Sequence, residues 1–416
     1  MTTAGAGVER GKVAGRVKRW FAMLVAVTVV GQSVFNGGRV LLSYRVLNFG
    51  GDAATVGVFT AAFSLVPLLI ALRAGRLVDD GHAPAVMRAG LVATVVATAV
   101  MAWSGGLAVL LAGYVALGFA HMTTLIAAQG MVSRLRGTTT GLDSLFAYFT
   151  LGISVGQLLG IAFSGWIAAG GQSNGGVDTT PALLALTGLG AVALVAGWPV
   201  ASAFRRLVPG VEQPAEGAPA HVPVSRMLRL PGMPAAMTAS IAVIVAIDLL
   251  TAYMPVLGQE MGLSVGEVTM ILAARSGMAV VSRALMPWAL ARVDRDRVLV
   301  AMIAAGAVPL VVTPWLGQTW LLALATGVCG FAWGFVMPMT MTWVSSLVPA
   351  TDKAMALSVR LMGNRLAQVV LPAGAGALAA SAGVAVVFVL SGLVLGASAV
   401  GAGWSLGVGR ERRSAV

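Results

Sequence analysis

The sequence predicts an all-α integral membrane protein with twelve transmembrane helices. Three observations predict it. The chain of 416 residues is 58% hydrophobic and only 10% charged, with a mean hydropathy of +0.90, whereas soluble domains carry about 25% charged residues. Its apolar stretches are continuous and reach the roughly 20 residues that a helix needs to cross a bilayer. They do not alternate as the strands of a membrane barrel do. Lastly, the basic residues collect in alternate loops.

The predicted spans run roughly over 20–42, 54–74, 84–104, 107–132, 141–169, 181–203, 234–257, 265–288, 297–314, 319–345, 354–380 and 384–408. The first follows Arg10, Lys12, Arg16, Lys18 and Arg19. It is too long for a signal-peptide core and has no convincing cleavage site, so it is read as a retained span.

The net charge is +12, a value that nucleic-acid binding would also explain. Its distribution argues otherwise. The loops at 104–107, 170–181, 258–264, 314–319 and 380–384 hold no Lys or Arg, and Arg45 is the only basic residue on that side. The N-terminus, the loops around 73–88, 134–136, 204–230 and 292–297, and the tail hold most of the rest. This positive-inside asymmetry predicts an inner (plasma) membrane protein with both termini cytoplasmic. The basic face meets anionic lipid headgroups, not nucleic acid. The single cysteine, Cys329, excludes an internal disulfide and any cysteine-cluster metal site.

The two halves of the chain repeat each other. Gly118, Phe119 and Ala120 return as Gly330, Phe331 and Ala332, which sets His121 opposite Trp333. Trp103 and Gly105 return as Trp315 and Gly317, and Val132, Ser133 and Leu135 as Val344, Ser345 and Leu347. Gly152 and Gln157 match Gly363 and Gln368. The common order and near-constant offset predict two pseudo-symmetric six-helix bundles, at 20–203 and 234–408. They are flanked by a cytoplasmic N-terminus (1–19), a polar linker (204–233) and a tail (409–416). The linker is rich in Pro, Gly and Arg, with a short interfacial helix expected near 224–229.

Charge inside a span is costly and usually faces a partner or a wet cavity. Gln32, Asn36, Arg39 and Ser43 recur every three or four residues and share one helical stripe. Arg39 can instead snorkel to the outer interface. Arg360, Asn364 and Gln368 form a second stripe with Arg365 one position off it; Arg360 lies within reach of cytoplasmic water. Asp248 is the one carboxylate deep in any span, at a depth close to that of Arg39 in the repeat. Its neighbours set its protonation. The expectation is a pair between Asp248 and Arg39 that forms in one state and breaks in another, or else a static structural pair. Arg275 lies near mid-span, while Glu267 is read as a helix-start acid. His121 has Tyr114 and Thr124 on its face; histidine is the side chain suited to accept a proton near neutral pH or to bind substrate, and a neutral imidazole hydrogen-bonded in the bundle is the alternative. Trp333 is an aromatic wall or core packing.

The stretch "GRLVDDGHAP" at 75–84 carries a known signature. The chain resembles the major facilitator superfamily over essentially its whole length. The family pattern reads Gly, any residue, Leu, Ala, Asp, Arg, any residue, Gly, Arg, basic. Gly75, Leu77 and Asp79 match; Asp80 stands for the Arg, Gly81 comes one position early and the basic pair is absent. The resemblance implies gating by Gly75, Leu77 and Asp79, and spans four and ten beside a central cavity. Gly152, Gly156 and Gly160 resemble the glycine-rich helix of the family's exporters, with Gln157 where those carry Pro.

The expected function is secondary active transport by alternating access. A surplus of arginine in a low-dielectric cavity selects an anion. The cargo is therefore expected to be a small organic anion or amphiphilic metabolite, moved with protons and leaning towards export. Gln32, Asn36, Arg39, Tyr114, His121, Arg275, Trp333, Asn364, Arg365 and Gln368 are the expected substrate contacts, and Asp248 or His121 the proton carrier. The alternatives are multidrug efflux of hydrophobic cations and a non-transporting membrane sensor or assembly subunit. No catalytic residues, metal or cofactor are expected, and no phosphate loop is present. The expected partners are the small-molecule substrate, protons and membrane lipids, with the chain a monomer.

Overall fold

The computed structural model describes residues 3–135, 142–173, 176–207, 224–348 and 353–414. It is helical nearly throughout. In chain order the elements are α1 (Thr3–Asn48), α2 (Ala53–Leu77), α3 (Ala83–Ala102), α4 (Leu107–Ser133), α5 (Leu142–Gly170), the two-residue strands β1 (Gln172–Ser173) and β2 (Gly176–Val177), α6 (Thr180–Leu207), α7 (Val224–Met227), α8 (Met233–Glu260), α9 (Val265–Leu290), α10 (Arg295–Val312), α11 (Thr319–Ser346), α12 (Lys353–Ala382) and α13 (Ala385–Ser414). Eleven helices among the described residues are long and apolar enough to cross a membrane. The remaining predicted span is α12, which has the length, with 30 residues, but carries Lys353, Arg360 and Arg365. The all-α membrane class stands, and α7 matches the expected short helix in the linker.

Two local features differ from expectation. The first helix does not begin near residue 20 but at Thr3, through the basic stretch. Arg, Lys and Ala are good helix formers, so the helix outruns the apolar segment. The connection after α5 is not plain loop: β1 and β2 pair antiparallel, Gln172 opposite Val177.

The chain divides into two compact units. One holds Met1–Leu41, Leu69–Ile167 and Asp178–Glu216; the other holds Leu42–Leu68, Ala168–Val177 and Gly217–Val416. The boundary cuts through α1, α2 and α5, and also through the connection between β2 and α6.

In the first unit the core gathers Trp20, Leu24, Met87, Leu91, Met131 and Phe149. The indole of Trp20 donates to the Val200 carbonyl at 2.7 Å and lies 5.4 Å from the Phe204 ring. A buried indole N–H needs such an acceptor. α5 crosses α1 on its glycines. A Cβ on Gly156 would press on the Val29 backbone, one on Gly160 on the Ser33 backbone, and one on Gly152 on Val25. Ser33 Oγ donates to the Gly156 carbonyl at 3.0 Å. The glycine stripe is thus an interface, as small residues are in membrane helix pairs.

In the second unit Gly330 of α11 lies on the backbone of Arg275, Gly334 against Ser282, and Gly392 of α13 against the Ala307 carbonyl of α10. α9 opens with a reciprocal cap. Ser264 N and Oγ both donate to the Glu267 carboxylate at 2.8 Å, and Glu267 N donates back to Ser264 Oγ at 3.2 Å. Glu267 is the helix-start acid the sequence suggests.

Candidate functional site

The polar stripe of α1 is buried: Gln32 is 6% exposed, Asn36 3% and Arg39 9%. Asn36 Nδ2 donates to the Gln32 carbonyl at 2.8 Å and to Gln32 Oε1 at 3.4 Å. Arg39 lies over the face of Phe35, its guanidinium carbon 5.6 Å from the ring centroid. On Phe35 also lies His121 of α4, centroids 3.7 Å apart and planes 13° from parallel. Phe35 is therefore a shared platform for the arginine and the imidazole. Gln32, Phe35, His121 and Thr124, with Thr28 and Thr94, line a cavity of about 20 Å³ between α1, α3 and α4, room for one water molecule. Tyr114 is buried on α4 and off that lining.

The second unit holds the deep acid. Asp248 of α8 is 5% exposed and is the only buried carboxylate among the described residues. Its Oδ2 accepts from Nε2 of Gln368 on α12. The same amide accepts from Arg365 Nη1 at 3.0 Å through Oε1. Gln368 thus uses both ends of its amide, joining a guanidinium to a carboxylate. Inward along the same helices, Ser240 donates to Asn364 Oδ1 at 3.1 Å. Arg360 does not snorkel: it is 5% exposed and its Nη2 donates to Thr340 Oγ1 of α11 at 3.0 Å. Arg275, 2% exposed, donates to Ser276 Oγ at 3.0 Å.

His121 and Trp333 occupy matching places in the repeat but do different things. Trp333 is 1% exposed and lays its indole nitrogen on Gly306 of α10, where the N–H meets no acceptor among the described residues.

At the signature, Gly75 and Leu77 close α2, and a Cβ on Gly75 would meet nothing. The left-handed glycine is Gly81 (φ 86°), inside a π-helical turn at Val78–His82. Arg134 Nη2 ties this turn to α4 by donating to the Val78 carbonyl at 2.7 Å. The side chain of Asp79 lies outside the described residues.

A second cavity, of about 480 Å³, lies between α8, α12 and α13. Ala242, Val245, Leu249, Val370 and Val394 are among its walls. Its two hydroxyls are already committed, Thr238 to the Ala235 carbonyl and Ser391 to the Val387 carbonyl. It offers an occupant only hydrocarbon.

Sequence reasoning reached the polar residues but not the roles of Phe35, Ser240 and Thr340. An aromatic, a serine and a threonine in apolar helices read as packing. The one signal was spacing: Phe35 and Arg39 are four apart, on one face.

The sequence model of the Major Facilitator Superfamily matches residues 21–292 and 236–415. The chain belongs to the Major Facilitator Superfamily. Solved structures agree on the fold. A mutant of the nucleoside transporter NupG superposes with a TM-score of 0.70 at 15% identity, covering 93% of this chain and 99% of that one. A bacterial homolog of the human lysosomal transporter Spinster, in an inward-facing and occupied conformation, gives 0.70 at 12% identity, covering 92% of this chain and 96% of the other. NupG itself gives 0.67 at 15% identity over 93% and 98%. No curated protein matches in sequence. The chain is a multi-pass membrane protein with the fold of the superfamily's transporters.

Proposed function

We propose that this superfamily member is a proton-coupled secondary transporter of a small organic anion or amphiphilic metabolite, working by alternating access between the halves 20–203 and 234–408. One observation carries the charge preference. Among the described residues Arg39, Arg275 and Arg360 are all buried within helices, against one buried carboxylate, Asp248. Guanidinium groups taken out of water need anionic partners. Gln32, Asn36 and Arg39 on α1, with His121 stacked on Phe35, supply hydrogen-bond donors and a flat apolar surface. Arg365 adds a second cation beside Gln368. Asp248 or His121 carries the proton. Arg39 and Asp248 belong to different units, and their pairing in one state is part of the proposal.

The positive-inside charge pattern supports cytoplasmic termini in an inner membrane. Export is favoured by the carboxylates at the opposite face. Asp52 and Glu260 line a cleft of about 370 Å³ there with Gln259 and Val256. A mouth of that sign repels anions returning from outside.

The test is transport in proteoliposomes with an imposed pH gradient, using one anionic and one cationic fluorescent substrate. Gradient-driven movement of the anion alone is expected. Movement of the cation alone establishes the second reading, efflux of hydrophobic cations, which the hydrocarbon-lined cleft of α8, α12 and α13 favours. Wild-type protein that moves neither, nor supports counterflow, is a sensor or assembly subunit.

A further inference from the structure

In the second unit α12 and α13 are anchored in different directions. α12 is tied to α8, Gln368 to Asp248 and Asn364 to Ser240. α13 is held by α10, where Gly392 lies against the Ala307 carbonyl. The gap left between them is the cavity of about 480 Å³. Val245, Ala246 and Leu249 of α8 make its buried floor, and Val370, Leu371 and Val394 an exposed rim. The rim is continuous with the outward faces of membrane-spanning helices.

Size and chemistry select the occupant. On α8 the wall runs from Thr238 to Leu249, eleven residues and roughly 16 Å of helix. One leaflet of hydrocarbon is about as thick, half of roughly 30 Å. Spread over that length, the cavity has a cross-section of roughly 30 Å². One extended hydrocarbon chain fits, whereas a helix about 10–12 Å across does not, which rules out a helix of a second copy. Both hydroxyls in the wall are spent on carbonyls of their own helices. No donor or acceptor therefore waits for a polar group, and water does not fill an apolar space of this kind. Left empty, its walls would forfeit their dispersion contacts.

We infer that this groove binds one acyl chain of a membrane lipid and holds it as a structural part of the second unit. Its upper end lies at the turn between α12 and α13, with Leu378 shortly before Ala382, where α12 ends, and Val387 shortly after Ala385, where α13 begins. Residues 380–384 carry no charge, so the groove reads the chain and not the headgroup. Leu249 follows Asp248 directly, and Val370 lies two positions past Gln368. A seated chain thus braces the two helices that carry the Asp248–Gln368 bond. The inference does not depend on the transporter reading.

The test uses the full chain in phosphatidylcholine vesicles with a trace of phosphatidylcholine bearing a diazirine midway along one chain. After illumination, cross-linked residues are located by mass spectrometry. Val308 of α10 and Leu324 of α11 are the reference, since they are exposed (67% and 60%) and line none of the cavities described. A chain in a groove touches wall on several sides and an ordinary surface lipid on one, so Val370, Leu371 and Val394 are expected to label about fivefold more than the reference. A Cβ on Gly374, another wall residue, would meet nothing within 4 Å. Gly374→Leu therefore fills the groove without a clash; groove labelling falls to the reference level while Val308 and Leu324 are unchanged. Returning phosphatidylcholine to delipidated protein raises the melting temperature of wild type more than that of the variant. Groove labelling equal to the reference in wild type overturns the inference, and this measurement decides the matter if Gly374→Leu does not fold. Groove labelling that survives in folded Gly374→Leu, or an equal rise in the two melting temperatures, also overturns it. So does loss of groove labelling on adding tetraphenylphosphonium, which would give the groove to a hydrophobic cation. Cross-linking needs no transport, so it reads the groove whether or not either fluorescent probe moves.

Discussion

His121 lies flat on Phe35, ring centroids 3.7 Å apart, and Phe35 also carries Arg39. The stack joins α4 to α1 and holds the imidazole at the cavity that Gln32 and Thr124 line. A stacked aromatic pair adds about 0.5–1.5 kcal/mol beyond the area it buries. Phe35→Leu and His121→Leu are each expected to lower the thermal stability of the purified protein. The double variant is expected to lose less than the two losses added together, by about 1 kcal/mol. Strict additivity in the cycle would mean the rings merely adjoin.

Gln368 spends its amide on two charged groups, Arg365 and Asp248. Removing it leaves a buried carboxylate short of a donor, a loss of about 1–3 kcal/mol. Gln368→Leu is therefore expected to destabilise the protein, and Asp248→Asn in the same chain to restore part of the loss, because an uncharged amide tolerates the apolar neighbour better. Asp248→Asn alone is expected to abolish pH-gradient-driven accumulation while leaving substrate exchange. Equal loss of both would assign Asp248 to structure. Thermal melts and proteoliposome flux separate the outcomes.

Most of the architecture was legible because bilayer thickness writes itself into composition: a span must be apolar for about 20 residues. The helix that contains a span obeys backbone energetics instead, which is why α1 continues through Arg10 and Lys12 unannounced by hydropathy. Buried polar residues were legible one at a time, as violations of apolar context. Their partners were not. The bond from Gln368 to Asp248 could not be read from the sequence, because only three-dimensional packing brings α8 and α12 together. The repeat likewise marks position and not role: His121 faces a ring on α1, and Trp333 a glycine on α10.

The glycines of α5 and α2 make opposite forecasts. Gly156 admits no Cβ because the Val29 carbonyl occupies its place. Overpacking of this kind costs about 1–3 kcal/mol, occasionally more. Gly156→Val is expected to lower detergent-solubilised stability by at least that amount, or to prevent assembly. A Cβ on Gly75 meets nothing, so Gly75→Ala is expected to leave the melting temperature in place. If that variant nonetheless slows transport, Gly75 acts in gating, as the family signature implies. Melting curves and flux on the same two preparations decide both points.

Asp52 caps α2. Its Oδ1 accepts from Thr55 N at 2.8 Å and Thr55 Oγ1 at 2.7 Å. These bonds, the side-chain one foremost, hold its carboxyl below the usual carboxylate range. The folded state therefore prefers the ionised form. The stability it adds is present above the unfolded pKa of about 3.9 and fades as pH falls through the lower folded value. Asp52→Ala is expected to cost about 1 kcal/mol at pH 7, the usual worth of an N-cap. The gap between wild type and variant should narrow steadily below pH 4. A difference in melting temperature that stays constant from pH 7 to pH 3 would show that the cap acts through its geometry and not through its charge.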